Sequence, residues 1–173
     1  MSEIDWAEAS PAAPLSLHRE KVRPEWLDYN GHMNVAYYVL VFDHASDAVL
    51  DLIDLGAAYR ERSTGSVFVT EAHITYEQEV SAGDPLRVES RVLGFDGKRF
   101  ILYHEMFTDD GDTVIAANEV MCLHVDLTTR RTAPLPEAAA ARLEDLAAKH
   151  GRLPQPSRAG RAISLAARRP GAT

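Results

Sequence analysis

The chain has a single cysteine, Cys122, among 173 residues. It cannot close a disulfide on itself, nor build a zinc site from several thiolates. A reducing, cytoplasmic setting is the expectation. Positive charge is also scarce: 18 Lys and Arg face 26 Asp and Glu, leaving a formal net charge of -8 and a pI of about 5.3. Nucleic-acid binders usually present a basic face, so no nucleic-acid partner is expected, and an anionic ligand would need a local group of Arg and Lys. No apolar run has the length that a bilayer crossing requires. Residues 1–14 hold Glu3, Asp5 and Glu8 without the basic and apolar regions of a secretion signal. Neither a membrane partner nor export is expected.

What the sequence does hold is length enough for one domain with a sizeable core. Residues 1–14 are rich in Ala, Pro and acid and read as a flexible leader. The domain spans 15–150, and residues 151–173, rich in Arg, Ala, Pro and Gly, read as a disordered tail. A short strand is expected around Leu17 to Arg23, closed by Pro24. From Asn34 the spacing becomes helical, with Val35, Tyr38, Phe42, Ala45, Val49 and Leu52 on one broad apolar surface and Gly56 as a stop signal. Beyond Gly65 the period drops to two. Val67–Val80, Leu86–Phe95, Arg99–Thr108 and Thr113–Leu127 read as four strands of an antiparallel meander, parted by Gly83-Asp84-Pro85, Asp96-Gly97 and the turn 109–112. Ala138 to Lys149 is a helix by propensity, ended by Gly151. A strand, a long helix and then a meander is an α+β order in which an antiparallel sheet of about five strands wraps its apolar face around the helix, with a short C-terminal helix added. The other face of Val67 to Tyr76 is not fully polar either, which points to a homodimer or a dimer of dimers, a homotetramer.

Chemistry concentrates at the mouth of the long helix, in Asp28-Tyr29-Asn30-Gly31-His32-Met33-Asn34. Asp28 offers a carboxylate. Gly31, without a Cβ, lets a ligand approach the backbone, and backbone N–H groups from Gly31 to Asn34 lie where unpaired donors and the helix dipole favour an oxyanion. Asn34 suits the N-cap, and His32 can position Asp28 or carry a proton. The bland readings are that Asp28 to Gly31 is a good turn, that His32 makes a structural hydrogen bond, and that Asn34 only caps. Tyr37, Tyr38 and Phe42 are expected to be core. Elsewhere, Glu71 and His73 share a strand face with valines, where a carboxylate is costly unless exposed or used; an interface ion pair is the plain alternative. His104 and His124 lack Cys, His or carboxylate neighbours at ligand spacing, so no metal is expected. Lys98 and Arg99, after a hairpin turn, and Arg130 and Arg131 are candidate phosphate contacts, although hairpin charges are usually just solvated.

The order of elements together with the Asp-x-x-Gly-His-x-Asn pattern resembles the hotdog-fold acyl-CoA thioesterases of the 4-hydroxybenzoyl-CoA thioesterase-like branch, over about Leu17 to Leu127. The stretch Trp26 to Met33 looks most similar to thioesterases found alone or fused to carnitine dehydrogenases, whose substrate is betainyl-CoA. The resemblance implies a hotdog fold and hydrolysis of a small acyl-CoA without a cofactor. Asp28 would act as nucleophile or general base, with Gly31, His32 and Asn34 around the reacting carbonyl. It also implies that Glu71 and His73 line an acyl pocket, where Glu71 with Trp26 would meet a cationic acyl group; with CoA as the carrier, its phosphates are what Lys98 and Arg99, beside their turn, could contact. Rival functions are a hotdog hydratase or dehydratase, whose Asp-to-His spacing is longer, and a non-catalytic acyl-CoA-binding module. The Asp28, Gly31 and Asn34 set speaks against the second.

Overall fold

The period-two stretches form one antiparallel sheet in a computed structural model that describes residue 6, residues 10–108 and residues 111–165. The strands are β1 (Leu15–Lys21), β2 (Gly65–Tyr76), β3 (Pro85–Phe95), β4 (Arg99–Thr108), β5 (Val114–Asp126) and the two-residue β6 (Arg131–Thr132). Their order across the sheet is β1-β3-β4-β5-β2, with β6 paired to β5. The β3–β4 turn falls at Asp96-Gly97, where Gly97 has φ 83° and Asp96 Oδ1 accepts from the N–H of Arg99 at 2.9 Å. Part of the turn expected at 109–112 lies outside the described residues, as do residues 1–5, 7–9 and 166–173.

The long helix α1 (Val35–Leu52) lies in the curve of the sheet. Its apolar residues recur every three or four positions, and Val41, Phe42 and Val49 are 0% exposed against Leu102 and Met106 at 0% and Val88 at 1%. The helix ends before Gly56, at Leu52, with Asp54 in the left-handed region at φ 65°. Gly56 instead begins a short helix α2 (Ala57–Arg62) that periodicity did not reveal. A Cβ at Gly56 would lie 1.8 Å from Asp51 Oδ1 and 3.1 Å from the Asp51 Cα, so the chain returns closely onto α1 there and a larger residue would have to displace the Asp51 carboxylate. The last helix, α3 (Glu137–His150), buries Leu143 and Leu146 completely in the core around Val49, Ile53, Phe100 and Leu102. Arg142 on α3 donates to the carbonyl of Leu52 at 3.1 Å, satisfying one of the acceptors left over at the end of α1.

The described parts of the expected leader and tail make specific contacts with the body. Trp6 Nε1 donates to Asp145 Oδ2 at 2.9 Å, and Lys149 Nζ donates to the carbonyl of Ser10 at 2.8 Å, so the leader is tied to α3 at these two points. Residues 151–165 are not free chain: Arg91 Nη1 donates to Pro154 O at 3.0 Å, Arg158 Nε pairs with Glu77 at 2.8 Å, and the Gly160 N–H donates to Glu119 Oε2 at 2.6 Å. Composition suggested disorder because these residues offer little apolar surface. What holds them is a set of carboxylates and an arginine on the outer face of the sheet, which local composition cannot show.

Among the core groups, His104 is 0% exposed between Ser46 Oγ (3.0 Å from Nε2) and Ser90 Oγ (2.8 Å from Nδ1). The Ser46 hydroxyl donates its one proton to Phe42 O at 2.9 Å. Its oxygen must therefore accept from Nε2–H, which leaves Nδ1 to accept from Ser90. Burial pushes the imidazole pKa down to about 3. Between the ordinary histidine pKa of about 6.5 and that value the unfolded chain binds a proton that the folded chain refuses, so stability is full above 6.5 and falls as pH drops through this window. Urea midpoints from pH 7 to pH 4 should decline, and His104→Gln should flatten the decline; an equal slope in the variant would exclude His104 as its source.

Candidate active site

The Asp28 loop is a tight return held by its own backbone. The N–H of Asp28 donates to His32 O at 2.9 Å, the N–H of Gly31 donates to Asp28 O at 3.0 Å, and Leu27 pairs with Met33 as a single antiparallel bridge. Gly31 takes φ 82°, in the left-handed region, and the space where a Cβ would stand is open. Asp28 Oδ1 accepts from the N–H of Asn30 at 2.7 Å, a bond that fixes the carboxylate and leaves Oδ2 outside it. The loop is stitched to the body by Met33 N–H to Val80 O and Asn34 N–H to Trp26 O, both 2.9 Å. Asn34 is the N-cap of α1, its Oδ1 accepting from the N–H of Ala36 at 3.0 Å.

These bonds revise the expected set of oxyanion donors. Of the four residues from Gly31 to Asn34, three spend their N–H inside the protein: Gly31 on Asp28, Met33 on Val80 and Asn34 on Trp26. Ala36 is satisfied by the cap and Tyr37 by Asn34 O. The N–H groups outside this set are those of His32 and of Val35, the first residue of α1, at the positive end of the helix dipole. Next to them is a cavity of about 280 Å³ lined by Met33, Val35, Tyr38, Tyr76, Glu77, Gln78 and Glu79. Tyr38 OH donates to Gln78 O at 3.1 Å, and its ring meets Tyr76 edge-on at 5.3 Å, so the segment after β2 is held against the helix mouth. His32 Nδ1 lies 3.3 Å from Glu79 Oε2, a partner 47 positions away that no sequence spacing announced.

The other expected site residues do not converge on this loop within the chain. Trp26 is 3% exposed, stacked on Tyr37 at 5.2 Å with the Arg23 guanidinium over its ring, so it is a core residue under the loop and has no face free for a ligand. Glu71 and His73 pair with Met121 and Glu119 and sit on the outer face of the sheet, where they line a cavity of about 180 Å³ with Ile101, Gly160 and Arg161. A bulge between Val69 and Glu71 shifts the alternation by one residue, so the side of β2 that meets the helix passes to Ala72, Ile74 and Tyr76. Lys98 and Arg99 occupy the β3–β4 turn, a full strand or about 30 Å from the loop, and Arg99 is bound to Asp96 at 2.5 Å. His124 meets Tyr59 OH at 2.9 Å and Ala133 O at 3.1 Å, a structural role like that of His104.

A sheet curled round one long helix, with a carboxylate-bearing turn docked at the helix N-terminus, defines a hotdog-type enzyme domain. The chain belongs to the thioesterase-like superfamily, whose family profile matches residues 22–143, and it is an enzyme of the thioesterase class. A betainyl-CoA thioesterase of Pseudomonas aeruginosa is 39% identical over 151 residues, covering 87% of this chain and 95% of the relative. An L-carnitine dehydrogenase/betainyl-CoA thioesterase of Agrobacterium fabrum is 44% identical over 88% of this chain, which spans 31% of that longer protein. Among solved structures, a Staphylococcus aureus protein in complex with CoA has a TM-score of 0.81 at 27% identity, covering 89% of this chain and 98% of that one. Among the described residues no helix is long and apolar enough to cross a membrane.

Gly31→Ala introduces no clash but forces a left-handed alanine, so it should cost about 1 kcal/mol in urea unfolding. A cost near zero would mean that the loop relaxes out of the conformation described.

Proposed function

We propose that the chain hydrolyses an acyl-CoA thioester to the free acid and CoA, with the thioester carbonyl lying between Asp28 and the N-terminus of α1. The observation that carries this reading is the pairing of a carboxylate, one of whose oxygens is fixed by Asn30, with uncommitted N–H groups at the first turn of the helix. A thioester needs a nucleophile at carbon and donors where negative charge collects on oxygen. The N–H of Val35, aided by that of His32, receives the oxyanion. Asp28 either attacks the carbonyl, expelling the CoA thiolate and leaving a mixed anhydride that water then opens, or removes a proton from a water that attacks directly. Both routes end in acid and thiol, and no metal or redox group takes part in the bonds that change. His32, held by Glu79, stands beside the loop to return a proton to the leaving sulfur.

Betainyl-CoA is the substrate this reading favours, supported by the activity for which the relatives above are named and by the charge of the site. The helix-mouth cavity pairs the rings of Tyr38 and Tyr76 with the carboxylate of Glu79, Glu77 being held by Arg158, a combination that suits a quaternary ammonium. This moves recognition of a cationic acyl group away from Glu71, on the outer sheet face, to residues beside the loop. The working form is a homodimer through β2, a twelve-residue edge strand that exposes Phe68, Val69 and Tyr76 at 44%, 51% and 45%. A homotetramer would add a second contact on the sheet.

A panel of acyl-CoAs with a thiol reagent tests the activity directly: betainyl-CoA should release CoA faster than acetyl-CoA, and release from no member would overturn the proposal. Asp28→Asn should lower turnover by at least about a thousandfold with the urea midpoint little changed; undiminished turnover would remove Asp28 from the chemistry. Glu79→Gln should raise KM for betainyl-CoA more than for acetyl-CoA, and equal shifts would return the cation to another site.

A further inference from the structure

The inner face of β1 carries polar groups where the fold calls for apolar ones. His18 and Glu20 stand directly opposite Val88 and Leu86, each 1% exposed, and side chains opposite one another in antiparallel strands share a face. α1 brings His44 down onto the same spot. Glu20 Oε2 is 3.2 Å from His18 Nε2 and 2.9 Å from His44 Nδ1, and the three ligand atoms lie within 4.8 Å of one another. The two imidazoles meet edge-on with centroids 5.6 Å apart. Among the described residues this is the one cluster of three or more His, Cys, Asp or Glu ligand atoms at such spacing.

Two histidines and a carboxylate converging from two elements, with the Glu20 side chain only 12% exposed, are more than the packing of an edge strand requires. Imidazole nitrogen and carboxylate oxygen bind zinc at about 2.0–2.2 Å, so neighbouring ligands of a tetrahedral ion stand roughly 3.4 Å apart by the same geometry. The two separations at Glu20 are within a few tenths of an ångström of that value. His44, whose side chain is 35% exposed on the helix surface, has room to turn toward a shared ion. We propose that His18, Glu20 and His44 bind one divalent cation of the zinc class, with the fourth position open to solvent.

The surroundings fit this assignment. Arg23 Nη2 holds the other oxygen, Glu20 Oε1, at 2.9 Å, which presents Oε2 as a single-oxygen ligand in the manner of an outer-shell partner. Burial alone would raise the Glu20 carboxyl, but the hydrogen bonds from His44, His18 and Arg23 outweigh it and keep the group below the usual carboxylate range, hence ionised. Asp47 lies close enough to His44 to feel its charge, and Asp43 is the neighbour of His44 in sequence, so the ion sits in a negative environment. The ion would staple β1 to α1, the two elements that flank residues 22–34. It lies outside the proposed reaction and locks the frame of the Asp28 loop.

The test uses untagged full-length protein, stripped with a chelator and titrated with Zn²⁺ by calorimetry and with Co²⁺ by visible absorption. One ion per chain, the intense visible bands of tetrahedral cobalt and a rise in Tm on adding Zn²⁺ are expected. His44→Gln, on the helix surface and therefore tolerated by the fold, and His18→Gln should each weaken binding by more than about tenfold and abolish the rise in Tm. His73→Gln, on the outer sheet face, should change neither. Absence of binding in the unsubstituted chain, or an affinity in His18→Gln and His44→Gln unchanged from that of the unsubstituted chain, would overturn the proposal.

Discussion

The burial of α1 in the curve of the sheet is the constraint on which the rest of this structure depends. An 18-residue helix has one N-terminus, and fixing its apolar side against Leu102, Met106 and Val88 fixes where that terminus points. Everything chemical follows from that placement. The cap at Asn34, the return of the loop through Leu27 and Met33, and the bond from Met33 to Val80 all register the Asp28 turn against a helix that cannot rotate without exposing Phe42 and Val49. A thioesterase needs little more from its scaffold than a carboxylate and a pair of donors held at one fixed separation.

The hydrogen bonds of the loop also sort its donors. A string of backbone amides at a helix start suggests a broad anion site, yet most of them are spent holding the turn, and the remainder converge on Val35 and His32. The economy is physical. A buried N–H left without an acceptor is costly, so a fold leaves such groups only where a ligand or water can reach them. The helix-mouth cavity, which Val35 lines, is such a place.

The second polar convergence joins His44 on the same helix to His18 and Glu20 on β1, the strand that leads into the loop. The two ends of residues 22–34 are thus anchored by different means: packing and capping at the helix mouth, and a cluster of ligand-type side chains behind it. The C-terminal segment adds a third anchor on the opposite face, where Arg158 and Gly160 bind Glu77 and Glu119. Glu77 also lines the helix-mouth cavity, so the outer and inner faces of the sheet meet at that residue.

Periodicity and turn chemistry determined the main elements of this protein, though not the short helix α2 or the two-residue β6. The helix after Asn34, the strands parted at Asp96-Gly97 and Gly83-Asp84-Pro85, the C-terminal helix and the loop bearing Asp28 were all legible, because amphipathic spacing, capping and turn preference are local properties. The meeting of elements was not. The bulge in β2 that sends Glu71 and His73 to the outer face, the burial of Trp26 beneath Tyr37, the placement of Arg99 at the far end of the strands from the loop, and the partners Glu79 of His32 and His44 of Glu20 depend on register and packing between separate segments. A one-residue slip in a strand reverses which side chains face the helix. Only the tertiary structure could therefore decide which of the chemically suitable residues share a site.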